Sequence, residues 1–342
     1  MSALKSKKVL VAVRSWNSDS FSVPKFSECL IDLLTPYSCS GQDSTVQEAT
    51  GSSITEVSVD VEEEAKLYRC ILSPSCSPLS LPLAHPCCCP IKAAAATDPS
   101  LLHVHSVFPH IAVTSSVILE SADQMVLLTR RAKTLRSFPG VWVSPGGYAD
   151  PGETVIETGL RELAEETGIQ VDVRQAIKLE KLALWESVYP PTLVRGAPKR
   201  HCLVIYVYVK VEQSSAQLSS LFKISMEEVD MLLWLDKMAV RYVVTDGADG
   251  CLPPAAIVSA FAAVPNGMGQ VVPCEWSMSE LSHTLPELPA PSSAIPAHTT
   301  VQLEDGVGEN QQQLQETANK WPVVERVSAG TKFALAQWLK RL

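Results

Sequence analysis

No apolar run in this sequence approaches the roughly twenty residues that a membrane-spanning helix needs, so no membrane association is expected. Basic residues at the N-terminus precede only Val9–Val13. That stretch is too short for the apolar core of a secretion signal, and no small-residue cleavage site follows it. A basic excess is also missing. Lys and Arg total 28 against 37 Asp and Glu, giving a net charge of −9, which argues against a protein that coats nucleic acid through charge alone. No extended basic nucleic-acid surface is expected. Cysteine is sparse, 10 in 342 residues, far below a disulfide scaffold. No C-x2-C pair occurs, and Cys87, Cys88 and Cys89 are adjacent, a spacing that rarely converges on one tetrahedral ion. Zinc is therefore not expected. Glycine (16) is outnumbered by proline (24), which marks Pro-rich connections. With 46% hydrophobic and 19% charged residues there is enough apolar material for a sizeable core. The expectation is a cytoplasmic protein with reduced thiols.

Hydrophobic patterning divides the chain into four parts. Residues 1–109 read as a small α/β extension, with a strand at 7–14, a short helix at 22–35, a polar insert at 38–56, a strand at 66–72 and irregular Pro/Cys-rich structure from 74 to 109. Residues 110–250 alternate strands around one strong helix, an α/β layered domain. Its strands are expected in IAVTSSVILE and MVLLTRRA, which flank a turn at Ser121–Gln124, then at Trp142–Ser144, 178–186, 201–211 and 231–235. Residues 251–325 read as a Pro/Gln-rich, partly disordered linker. Residues 326–342 form an amphipathic helix with Phe333, Leu335, Trp338, Leu339 and Leu342 as its apolar stripe, expected to dock on the central domain.

The chemistry concentrates in residues 145–169, PGGYADPGETVIETGLRELAEETGI. Thr154 and Glu157 form a capping box, and Gly168 supplies a left-handed C-terminal stop, bounding a helix of 154–167. Its core stripe is expected to be Ile156, Leu160, Leu163 and Thr167, with Glu162, Glu165 and Glu166 crowded on a second arc roughly opposite. Three carboxylates so close repel one another unless they share a cation. Hard divalent cations prefer oxygen ligands, and Mg²⁺ in particular is held by a few carboxylates together with substrate phosphates. Mg²⁺ or Mn²⁺ is the expected cofactor. The preceding glycines let backbone approach a ligand closely, and a metal bridging phosphate oxygens suits hydrolysis of a phosphoanhydride.

The full spacing is more specific than a carboxylate helix. Gly147, Glu153, Arg161-Glu162-Leu163, Glu165-Glu166 and Gly168-Ile169 fill every position of G-x5-E-x7-R-E-U-x-E-E-x-G-U, where U is aliphatic. On these residues the chain resembles the Nudix hydrolases. The resemblance implies a mixed sheet between helices, an α/β Nudix fold. It also implies divalent cations on Glu162, Glu165 and Glu166, one of which can act as base, and a metal-ligating carbonyl at Gly146. Glu153 and Arg161 are implied as the pair that orients loop and helix. VLLTRRAKTL, LWESVYPP and RVSAGTKFALAQWL resemble a vertebrate branch of that family that hydrolyses methylated capped mRNA. This implies a capped-RNA or nucleotide substrate and release of 7-methyl-GDP. Two other readings stay open, a pyrophosphatase for a small nucleotide metabolite and a Nudix-fold binding module without turnover. Trp185 and Tyr189 are candidates to stack on a methylated purine. Glu227 and Glu228 are candidates for a further ligand or base, and Arg130, Arg131, Lys133, Lys199 and Arg200 for phosphate contacts.

Overall fold

A computed structural model describes residues 10–14, 21–34, 54–64, 67–74, 80–86, 88–102, 110–248, 256–264, 268–282 and 327–342. The region preceding the central domain contributes strands β1 (Leu10–Arg14), β2 (Phe21–Ser22), β3 (Ile54–Glu64), β4 (Leu67–Pro74) and β5 (Leu81–Ala84), with helices α1 (Leu30–Leu34) and α2 (Pro90–Thr97). The central domain follows with β6 (Ala112–Glu120), β7 (Val126–Arg131), β8 (Trp142–Val143), β9 (Gly146–Tyr148), helix α3 (Val155–Thr167), β10 (Lys178–Tyr189) and β11 (Arg200–Lys210). Helix α4 (Ser215–Ser219), strand β12 (Val229–Leu235), helix α5 (Lys237–Val244), strands β13 (Ile257–Ala263) and β14 (Val271–Ser277) and a C-terminal helix, Ala329–Leu339, come after these. No described helix is long and apolar enough to cross a membrane.

All of these strands join one mixed sheet. Its spine is the parallel pair β6 and β11, in register from Ala112 opposite Cys202 to Glu120 opposite Lys210. Antiparallel β10 lies beside β11, and β7 with β12 continues the sheet on the other side. Three apolar clusters cover it. Leu30, Leu34 and Ile91 meet Leu184, Leu203 and Ile205 under the extension. Trp142, Trp185, Phe333 and Trp338 pack under the C-terminal helix. Leu163, Val117, Val207 and Leu232 pack under α3. A mixed sheet with helices on it is the α/β Nudix architecture the sequence implied.

The sheet extends beyond residues 110–250 on both sides. The extension joins it, because β5 pairs in parallel with β10 (Leu83 opposite Leu184) and Leu10 of β1 bridges to Ala112 of β6. The described residues between 80 and 102 are more regular than their prolines suggest. Pro90 opens α2 at its first position, where a missing N–H costs nothing, and the alanine run behind it is the strongest helix former. The expected linker likewise contains a hairpin, with β13 pairing Phe261 against Leu232 and β14 beyond it. Pro273 is tolerated there because β14 is an edge strand. Residues 38–53 of the polar insert and 283–325 of the linker lie outside the described residues.

Candidate active site

Helix α3 carries the site, and its ends are fixed locally. Thr154 accepts from the N–H of Glu157 at 3.2 Å while the Glu157 carboxylate accepts from the N–H of Thr154 at 2.7 Å, the reciprocal capping box. Gly168 ends the helix at φ +82°. Gly159 presses α3 onto β6, since a Cβ there would lie 2.9 Å from Ser115 Oγ and from Val117. The buried face is Val155, Thr158, Gly159, Leu163, Glu166 and Thr167, with Ile156 and Leu160 only half-buried. Glu166 therefore does not sit opposite the core, as the helical projection suggested. At about 100° per residue it lies one turn on from Leu163, at the edge of the buried face, where Thr129 of β7 donates to it at 3.5 Å.

Arg161 binds the loop to the helix. Its Nε and Nη2 donate to the two oxygens of Glu153 at 2.7 and 3.1 Å, and Nη2 also reaches the carbonyl of Tyr148 at 3.0 Å. Its Nη1 donates to Glu162 Oε1 at 2.8 Å and Glu165 Oε2 at 3.0 Å. A bidentate guanidinium–carboxylate pair adds directional specificity as well as attraction, and here it joins the Glu153 loop to α3. Strand β9 pairs antiparallel with β6, and Val117 donates to Pro145 while Ala149 donates to Val113. Alternation of bonded pairs then turns the N–H and C=O of Gly146 away from β6, on the side of Glu166, to which the Gly146 N–H donates.

The electrostatics of the three box carboxylates differ. Glu165 is exposed, Glu162 half-buried and Glu166 buried. Burial pushes the Glu166 carboxyl up to about 8; Arg131 opposes this, whereas Glu162 and Glu228 reinforce it. Burial also raises Glu162, against the pull of Arg161 and with the push of Glu165 and Glu228. A buried carboxylate is costly unless a cation meets it, and among the described residues Glu166 has no cationic hydrogen-bond partner. The residues therefore fit a divalent cation held by Glu162, Glu165 and Glu166. Gly147 completes the cradle, because a Cβ at that position would lie 2.4 Å from the Glu162 carboxyl carbon. Changing Gly147 to Ala should thus displace Glu162. Overpacking of about 1–3 kcal/mol corresponds to roughly a five- to 150-fold loss of divalent-cation affinity. Titration calorimetry should show this loss, and unchanged affinity would remove Gly147 from the site.

The remaining candidates separate. Glu228, exposed just before β12, is among the charges felt by Glu162, Glu166 and Arg131, and Glu227 beside it is exposed. Trp185 is a correction to the stacking expectation. It is 4% exposed, lies 5.6 Å from the ring of Phe333 and has Gly330 pressed against it. Strand alternation turns it under the C-terminal helix, which leaves no face for a purine. Tyr189, the last residue of β10, is half-buried and meets Phe138 edge to face at 4.9 Å. Phe138, which sequence reasoning missed, adopts φ +50°, an uncommon conformation for an aromatic residue in a loop without periodicity. Arg131 Nε donates to the carbonyl of Ser137, the residue before Phe138, at 3.2 Å. Arg200 is opposite Tyr189 in register and 3.5 Å from Tyr148 Oη. Arg130 is committed elsewhere, to Asp230 at 2.6 Å and to the face of Trp276. Lys133 and Lys199 are exposed.

Comparison with known proteins agrees with this geometry. Residues 109–248 match the NUDIX domain. The m7GpppN-mRNA hydrolase NUDT17 of Danio rerio is 37% identical over 265 residues, 77% of this chain and 78% of that protein. The proteins of the same name from Xenopus laevis and Homo sapiens are 32% identical over 75% of this chain and 36% identical over 66% of it, covering 75% and 60% of their own lengths. With its box complete, its carboxylates gathered on one helix end and relatives matched over most of their length, the chain belongs to the Nudix hydrolase family.

Proposed function

We propose that this protein hydrolyses a phosphoanhydride of m7G-capped RNA, with Mg²⁺ or Mn²⁺ held by Glu162, Glu165, Glu166 and the carbonyl of Gly146. The observation that carries the reading is the buried Glu166 carboxyl, pushed up to about 8 beside Glu162 and facing Gly146, in a chain alike over most of its length to proteins named m7GpppN-mRNA hydrolase. A bound divalent cation would polarise the phosphate and lower the pKa of a water beside it. The chain's own residues do the rest. Arg161, fixed by Glu153, holds Glu162 and Glu165 on one side of the helix. Arg131 and Arg200 stand where phosphate charge can be met, and Glu228 is placed to act on the same cluster. Phe138 and Tyr189 present a partly exposed aromatic pair suited to a cationic purine.

A small nucleotide metabolite is the second reading, favoured by the net charge of −9. A panel of capped and uncapped nucleotides, run with Mg²⁺ and with Mn²⁺ and with products identified, separates the two. Capped substrate should release 7-methyl-GDP. Few cations line the site, so cap and phosphates should dominate recognition. A capped dinucleotide should be cleaved within about tenfold of a long capped RNA. Each single-strand phosphate contact steepens log K against log salt by about 0.7, and the slope should report no more than about three. Six or more contacts with a strong length preference would overturn this, and indifference to the cap would favour the metabolite.

A further inference from the structure

Away from the box, three ligating side chains meet between the extension and the sheet. Cys29 precedes α1, His85 follows β5, and Cys89 caps the N-terminus of α2. Their ligand atoms lie within 4.8 Å of one another, and the residues are only 6%, 2% and 3% exposed. A carboxylate arrives from the other side of the seam. Glu186 of β10, fully buried, places Oε2 at 3.4 Å from Cys29 Sγ and 3.9 Å from His85 Nδ1. Cys29 Sγ and His85 Nδ1 are themselves 3.9 Å apart.

We propose that Cys29, His85 and Cys89, with Glu186 as fourth ligand, form a zinc site that ties the extension to the Nudix sheet. Around tetrahedral zinc, bond lengths of about 2.0–2.3 Å set ligand atoms roughly 3.3–3.6 Å apart. Cys29 Sγ, His85 Nδ1 and Glu186 Oε2, 3.4–3.9 Å apart, already approach this spacing, and Cys89 Sγ, within 4.8 Å of Cys29 and His85, needs to move in by about an ångström. Two thiolates, an imidazole and one carboxylate suit zinc rather than the harder cation of the box. The outer shell is also in place. Glu186 Oε1 accepts from the N–H of Leu30 at 2.7 Å and lies 2.9 Å from His201 Nε2, while His201 Nδ1 donates to the carbonyl of Phe26 at 2.8 Å. Such contacts orient a ligating carboxylate and leave Oε2 turned toward Cys29 and His85. Binding forms two Zn–S bonds and releases to solvent whichever thiol protons remain.

The ligands do not reveal themselves by spacing. Cys29 and His85 are 56 residues apart, and of the adjacent cysteines Cys89 turns inward while Cys88 is exposed. The full chain, purified under reducing conditions without chelator and then desalted from excess zinc, should carry one zinc per chain. Cys29→Ser and Cys89→Ser should each lose it. Cobalt loaded in its place should give a thiolate-to-metal charge-transfer band, which the all-oxygen box cannot produce. That band is read on the unsubstituted protein and does not depend on the variants folding. Substoichiometric zinc with no such band, a Cys29–Cys89 disulfide under the same conditions, or a band retained in both variants would overturn the proposal.

Discussion

Changing Glu166 to Gln should lower turnover by about a hundredfold or more, taking metal-based charge stabilisation as several kcal/mol, while the cation-free protein becomes more stable at neutral pH. The second effect follows from linkage. In the fold the Glu166 carboxyl is raised from 4.5 to about 8 by burial, by Glu162 and by Glu228. A folded pKa above the unfolded one means that the folded state keeps a proton the unfolded state has released. Its stabilising contribution is complete below pH 4.5 and is lost progressively as pH rises through about 8. Glutamine is neutral throughout and escapes that loss. A divalent cation reverses the preference, because it binds the ionised form and expels the proton. Its stabilisation of the unsubstituted protein should therefore grow as pH rises through about 8, and the Gln variant should show little of this growth. Melting curves from pH 5 to 9 with and without cation, beside steady-state turnover, test both parts. Turnover near that of the unsubstituted protein would remove Glu166 from the ligand set.

What the sequence revealed and what it hid follow one physical division. Thr154, Glu157 and Gly168 bound α3 through contacts within a turn, so spacing alone was enough to read them, whereas the Arg161–Glu153 pair was implied only by the Nudix resemblance. Which face α3 buries depends on its neighbours. Gly159 admits β6 so closely that the buried stripe includes Glu166, an outcome absent from the helical projection. Trp185 and Tyr189 were indistinguishable as aromatics near the end of one strand. Only the C-terminal helix, more than a hundred residues later in the chain, decides that the first is core. Phe138 and the Cys29–His85–Cys89 cluster were hidden for the same reason, being assembled by loops and by distant segments. The hairpin of β13 and β14 was masked by prolines that an edge position tolerates.

The largest loss of stability should come from removing the C-terminal helix. Phe333 and Trp338 are 1% and 0% exposed, and Phe333 covers Trp185 at 5.6 Å between ring centres. Trp338 Nε1 also donates to Glu120 Oε2 at 2.7 Å, where Tyr208 donates at 2.7 Å, while Lys210 pairs with Oε1 at 2.8 Å. Burial opposes the charge of Glu120, but these three partners outweigh it and hold its carboxyl below the usual range. Trp338→Ala should cost about 3–5 kcal/mol, and Trp338→Phe, which keeps the ring but loses a donor to a charged acceptor, about 1.5–3 kcal/mol. At about 2–4 °C per kcal/mol, the Ala variant should melt roughly 10 °C lower. Truncation after residue 325 should cost more and expose apolar surface to dye. It should also reach the active site. Ser328 donates to the carbonyl of Trp142, and the N–H of Ser144 donates to Thr331 Oγ1 at 3.3 Å, two residues before Gly146. Thr331→Val removes that acceptor with little change of volume. Turnover should fall by more than its small thermal shift explains, because the loop before the box loses its brace. A variant with unchanged turnover, or a truncated chain with an unchanged melting curve, would show that the helix merely rests on the domain and supports neither its core nor its site.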